Sequence, residues 1–190
     1  MDEISANDAR QLTRARRGDE AAFLELYQRY RRPVFQFAWR LTGSESAAED
    51  VAQESFLALL EGAGYDPAQG ALKTYLLGIA RHRAMRQLRA AEREAEEPAG
   101  NESPSDAPDA LCSLLRAERA ALVARAVASL PFAQREALVL FEYEDLSLEE
   151  IAQIMGCEPG AVKARLFRAR DALRKRLGPL LAVASARGSS

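Results

Sequence analysis

Histidine and cysteine are scarce in this chain, with one histidine and two cysteines among 190 residues. Cys112 and Cys157 stand far apart, with no partner at metal-ligand spacing. That argues against a zinc finger and a disulfide framework. Both read as small buried or turn residues. The lone His82 reads as a solvated or phosphate-facing side chain rather than a ligand or base. A phosphate-binding glycine loop, a nucleophile elbow and a metal-binding carboxylate cluster are also missing, so no enzyme, metal site or cofactor is expected. No apolar run reaches the ~18 residues of a membrane span. The start, Met1-Asp2-Glu3-Ile4, is acidic and lacks the apolar core of a secretory signal. The expectation is a cytoplasmic protein without membrane insertion.

Net charge is also nearly absent, at −2 from 26 Lys+Arg and 28 Asp+Glu. The small total hides a pattern. Arg81, Arg83, Arg86, Arg89 and Arg93 form one basic island, interrupted only by Glu92. Lys163 to Arg176 holds seven bases and one acid, Asp171. Between the islands, Glu94 to Asp109 carries six acids and no base. Two basic segments around an acidic spacer suggest two anion-facing surfaces, which favours nucleic acid over merely solvated helix faces.

Runs of β-branched residues are lacking, while Ala, Leu, Arg and Glu dominate. The chain therefore reads as all-α: two small helical domains joined by a flexible acidic linker. The spacing predicts helices over about Asp8–Arg17 and Asp19–Leu41, the second kinked or divided at Pro33. Ser46-Ala47-Ala48-Glu49 reads as a capping box opening a helix to about Leu60. A glycine-rich loop, Gly62–Gly70, precedes a helix that starts near Ala71 and enters the first basic island. Residues 94–110 hold three prolines and no large apolar side chain, and read as a linker. Ala110–Leu130 is amphipathic, Pro131 suits the first turn of the next helix, and the tail after Leu181 is expected to fray. The expected domains are 1–93 and 111–182, with 183–190 disordered.

The most specific signal lies between Ser147 and Leu177. A capping box, Ser147-Leu148-Glu149-Glu150, starts a short helix that ends at Gly156. A basic helix follows from Pro159. This is the helix-turn-helix plan, whose second helix enters a DNA major groove. Val162, Leu166, Ala169, Leu173 and Leu177 form an inward stripe. Lys163, Ala164, Phe167 and Arg168 face the other way, where lysine or arginine can donate to guanine and Ala164 or Phe167 can touch a thymine methyl. Arg165 lies at the stripe's edge and is expected to reach a phosphate.

The first basic island suits single-stranded bases. Arg81, His82, Arg86 and Arg89 share an arc, with Tyr75 at its edge, and Tyr65 sits in the glycine-rich loop as a candidate for base contact. Phe35, Phe37 and Trp39 read as core. A third face carries Asp50, Gln53, Glu54 and Leu57 at helical spacing. It is either a solvated acidic face or a seat for a basic helix of another protein.

Two motif blocks carry a resemblance. Asp50-Val51-Ala52-Gln53-Glu54-Ser55-Phe56-Leu57, followed by Thr74-Tyr75-Leu76-Leu77-Gly78-Ile79-Ala80-Arg81, resembles region two of bacterial RNA polymerase sigma factors. Leu130-Pro131, then Leu146 to Ala152 and Gly160 to Arg170, resembles region four. Two such regions with a short linker are similar to the compact extracytoplasmic-function (ECF) group.

The resemblance implies a transcription initiation factor that binds core RNA polymerase, directs it to promoters and helps melt the −10 region. It implies that Asp50, Gln53, Glu54 and Leu57 meet the β′ clamp helices. Tyr65, Arg81, His82, Arg86 and Arg89 are implied to hold the −10 element as single-stranded DNA. Lys163, Ala164, Arg165, Phe167 and Arg168 are implied to read the −35 duplex, with this domain docked on the β flap. The linker is expected to thread towards the active-site cleft. An anti-sigma factor is a further possible partner. The chain departs from frequent family residues at Ala161, Ala164, His82 and Tyr75, where Thr, Ser, Asn and Trp are common. The alternative is a stand-alone helix-turn-helix regulator, which leaves the N-terminal half unexplained. A helical adaptor without nucleic-acid affinity is a third reading.

Overall fold

The helical periodicity is realised throughout the described residues of the computed structural model, 3–62, 64–94 and 120–187, and every regular element among them is an α-helix. The N-terminal unit contains α1 (Glu3–Ala15), α2 (Glu20–Thr42), α3 (Glu45–Glu61) and α4 (Leu72–Glu94). Helix α5 is described over 120–128. The C-terminal unit continues with α6 (Phe132–Glu142), α7 (Leu148–Met155) and α8 (Pro159–Arg187). The expected linker beyond Glu94, and the first part of the Ala110–Leu130 helix, lie outside the described residues.

Local chemistry sets the helix ends. The Asp19 carboxylate accepts from the Ala22 amide at 3.1 Å and starts α2. That bond, with Arg14 beside it, holds the Asp19 carboxyl below its ordinary range. Gly43, at φ 73°, stops α2 in the left-handed conformation that glycine adopts without strain. Helix α2 runs unbroken through Pro33, rather than being divided there. Its packing outweighs the lost hydrogen bond, because Tyr30, Val34, Phe37 and Leu41 are all buried around the proline. The start of α3 also differs from the sequence expectation. Ser44, not Ser46, is the N-cap, and its hydroxyl accepts from Ala47 at 3.3 Å. Ser44 has the extended backbone a cap needs.

In the N-terminal unit, Leu26, Phe37, Leu41, Val51, Leu59, Leu76 and Leu77 form the centre of the core. Phe23, Tyr27 and Phe56 make an aromatic cluster between α2 and α3, with Tyr27 and Phe56 centroids 4.9 Å apart. Asp8 is buried on α1 and accepts from both Arg29 and Tyr30 of α2. This pins α1 onto the bundle.

In the C-terminal unit the expected capping box is complete. The Ser147 hydroxyl accepts from the Glu150 amide at 3.2 Å, and the Ser147 amide donates to the Glu150 carboxylate at 2.9 Å. Gly156, at φ 62°, makes the turn, and Pro159 opens α8. Val162, Leu166 and Ala169 are buried against Leu138, Leu140, Ile151 and Ile154. Helix α8 continues to Arg187, past the point where fraying was expected. The alanines of Leu181-Ala182-Val183-Ala184-Ser185-Ala186 are strong helix formers.

The two units are docked on each other, α6 against α2 and α7 against α4. Arg135 donates to the Leu41 carbonyl at 2.6 Å, and the Arg40 guanidinium lies 4.1 Å from the Tyr143 ring centre. Among the described residues, no helix is long and apolar enough to cross a membrane.

Candidate nucleic-acid interface

Helix α3 divides cleanly. Ala48, Val51, Ala52, Ser55, Phe56 and Leu59 are buried, which turns Asp50, Gln53 and Leu57 outward. Leu57 is 58% exposed. Glu54 is half-buried, and its carboxylate accepts from Arg83 at 3.0 Å and Arg86 at 2.8 Å. It therefore links the acidic row of α3 to the basic row of α4, a connection the sequence did not suggest.

The loop Gly62–Gly70 crosses the start of α4. Arg16 of α1 donates to the Leu59 carbonyl at 2.9 Å and also to the Gly62 carbonyl. It satisfies the C-terminal carbonyls of α3 and fixes where the loop begins. Tyr65 folds back over Tyr75, with ring centres 5.5 Å apart. Its hydroxyl donates to the Gly70 carbonyl at 3.4 Å, and burial pushes its phenol above the ordinary range. Tyr65, Tyr75, Thr74, Gly78, Ile79 and His82 line a cavity of about 300 Å³. A second hollow beside it is lined by Ile79, His82, Arg83 and Arg86. Aromatic faces with cations at the rim suit a base stacked out of a duplex.

His82, Arg86 and Arg89 are exposed on this face. Arg81 is not: its side chain is 14% exposed and ion-pairs with Glu136 of α6, itself 1% exposed. Burial raises the Glu136 carboxyl above its ordinary range, with Arg81 and Arg165 opposing.

On α8, Lys163, Ala164 and Arg168 are exposed and Phe167 is 73% exposed. The Arg168 Nε donates back to the Ala164 carbonyl at 3.2 Å. Arg165 is half-buried, with Nη1 3.3 Å from Cys157 Sγ and 3.8 Å from Met155 Sδ. It lies against the turn, whereas the other four side chains stand clear. Beside them, Phe141, Leu148, Lys163, Phe167 and Arg170 line a shallow groove.

Sequence reasoning missed Arg16, Glu136, Gln153 and Ile154. The last two belong to α7, yet they wall the cavity over α4. A charged residue inside the apolar run of α6 was the available sign for Glu136.

Comparison with known proteins places the chain in a family. Residues 26–94 match the family model of sigma-70 region 2, and residues 120–173 match that of sigma-70 region 4. The chain is 35% identical over 184 residues to the RNA polymerase sigma-H factor of Pseudomonas aeruginosa, covering 92% of this chain and 95% of the relative. It is 34% identical over 180 residues to the ECF RNA polymerase sigma-E factor of Escherichia coli, covering 88% and 93%. Among solved structures it is similar to the sigma factor RpoE of Bartonella quintana, crystallised with the anti-sigma factor NepR. The TM-score is 0.64 at 26% identity, covering 82% of this chain and 96% of that one. CnrH, solved in complex with the cytosolic domain of CnrY, shares the fold, with a TM-score of 0.68 at 23% identity and coverage of 94% and 99%. The chain belongs to the sigma-70 family of RNA polymerase sigma factors, in its extracytoplasmic-function group.

Proposed function

We propose that this chain directs core RNA polymerase to promoters through three surfaces and has no bond-making chemistry of its own. Asp50, Gln53, Glu54 and Leu57 seat the clamp helices of polymerase. Tyr65, His82, Arg86 and Arg89 hold the −10 element as it opens, with Arg81 joining them once freed from Glu136. Lys163, Ala164, Phe167 and Arg168 read the −35 duplex, and Arg165 braces the turn or reaches a phosphate. These assignments divide the chain as 1–93 and 111–182, with 94–110 between them. The place of work is the cytoplasm, where polymerase is.

The observation that carries this reading is the cavity formed by Tyr65, Tyr75 and His82 beside exposed Arg86. Its aromatic walls accept a base that duplex DNA does not present. An isolated duplex-binding regulator has no use for it. The test is Arg86→Ala with Arg89→Ala in reconstituted holoenzyme. Promoter opening should fall more than initial promoter binding. Equal losses in both steps would make these arginines general phosphate contacts.

The relatives crystallised with CnrY and NepR motivate a second partner, an anti-sigma protein. Recovery of polymerase alone in a pull-down of the full chain from its own cells would count against it.

A further inference from the structure

We infer that Glu54 is a positioning residue for the opened −10 strand: it holds Arg83 and Arg86 over a hollow beside the base cavity, where the two guanidinium groups take a backbone phosphate. This deepens the −10 assignment above and rests on it. It adds Arg83 to the DNA-facing residues and gives Glu54 a task besides the polymerase face.

The hollow continues the base cavity. Tyr75, Ile79, Arg83 and Arg86 follow one another at three- and four-residue spacing, so they share one edge of α4. Ala58, one turn beyond Glu54, supplies the α3 side. With His82 they surround a hollow of about 490 Å³. Tyr75, Ile79 and His82 also line the cavity assigned to the unstacked base. The two spaces therefore adjoin, aromatic and apolar at one end and cationic at the other. A nucleotide has the same polarity, a flat base joined to an anionic phosphate.

Glu54 organises the cationic end. Its Oε2 accepts from Arg83 Nη1 at 3.0 Å and from Arg86 Nη2 at 2.8 Å. Arg83 is half-buried and Arg86 is exposed. Like charges three residues apart on a helix repel, and the shared carboxylate offsets that repulsion. Each guanidinium keeps further N–H groups in its planar fork, so holding Glu54 does not exhaust it. Two arginines against one carboxylate leave a net positive site, which suits a phosphate. Arginines held before DNA arrives lose less freedom on binding it. A carboxylate has a second oxygen that accepts independently. Contact with polymerase on α3 and positioning of the arginines on α4 are therefore compatible.

The test uses holoenzyme assembled with core polymerase in excess, so that core affinity does not enter. The probe is a forked fragment of one of its own promoters, with the non-template strand unpaired over the −10 element. Glu54→Gln keeps the side chain's size and makes the surface more positive. Were Glu54 only a screen for the arginines, the variant would bind the fork more tightly. Positioning predicts the reverse, a loss of about three- to ten-fold, the range for ordering one long side chain. Affinity for the same fragment ending upstream of the −10 element should hold. Arg83→Lys with Arg86→Lys keeps the charge but loses the fork, and should weaken fork binding by a similar factor. In an Arg83→Ala, Arg86→Ala background, Glu54→Gln should change nothing. Tighter or unchanged fork binding by Glu54→Gln would overturn the inference. So would equal loss on the upstream fragment, full binding by the lysine variant, or an effect of Glu54→Gln that persists without the arginines. Failure of the −10 reading itself shows separately, as unchanged promoter opening by Tyr65→Ala holoenzyme.

Discussion

Leu57 offers the cleanest way to test the polymerase-binding face. Full burial of a leucine side chain is worth about 1.5–3 kcal/mol. Leu57 is 58% exposed, so about 1–1.5 kcal/mol remains to be gained when polymerase covers it. Leu57→Ala should remove most of that, a loss of about five- to ten-fold in core affinity. Leu57→Asp should cost more, since a carboxylate would be desolvated as well. Stability should change by less than about 0.5 kcal/mol, because the side chain lies opposite the buried Val51, Ser55 and Phe56. Glu54 is a poorer probe, since reversing its charge also releases Arg83 and Arg86. The assay is competition for fluorescently labelled core polymerase, with urea unfolding in parallel. Unchanged affinity in a folded Leu57→Asp chain would refute the assignment, and a parallel loss of stability would show that Leu57 is core.

Three further outcomes are expected. Arg168→Ala should cost about 1–3 kcal/mol on the preferred −35 sequence and relax selectivity at one base pair; equal loss on every sequence, with the salt slope reduced by about 1, would mark a phosphate contact. Arg16→Ala leaves the Leu59 and Gly62 carbonyls without their guanidinium donor; it should destabilise the fold by about 1–3 kcal/mol and slow promoter opening, whereas core affinity should hold. Burial keeps the Glu136 carboxyl raised, so its stabilising contribution is complete below the ordinary carboxylate range and is lost as pH rises through the raised value. Unfolding free energy should fall over that window in the natural chain and less steeply in Glu136→Gln, and identical slopes by urea titration would contradict this.

What the sequence disclosed, and what it hid, follows from the range of the interactions. The capping box at Ser147, the turn at Gly156 and the stripe Val162, Leu166 and Ala169 are local, so spacing alone revealed them. The outward row Asp50, Gln53 and Leu57 followed from helical periodicity in the same way. The cap at Ser44 was misplaced to Ser46 because two serines compete there, and backbone extension at Ser44 decides between them. Pro33 was expected to kink or divide α2; the helix is not divided, because burial of the surrounding side chains overrides a local breaker. Partners far apart in the chain stayed hidden. Arg16 reaches Leu59, Arg86 reaches Glu54, and Arg81 reaches Glu136 across the two units. Periodicity shows which side a residue faces and cannot show what comes to meet it. The docking of α7 over the α4 cavity belongs to the same class.

The central claim is that this chain confers promoter-dependent initiation on a polymerase that lacks it. The direct measurement is single-round transcription by sigma-free core polymerase on a library of fragments from the source genome, with permanganate mapping of unpaired thymines. The account predicts discrete start sites and an unpaired −10 segment only when chain and core are both present, and neither with the chain alone. A protected duplex formed equally well without core, or no start sites with both present, would contradict it.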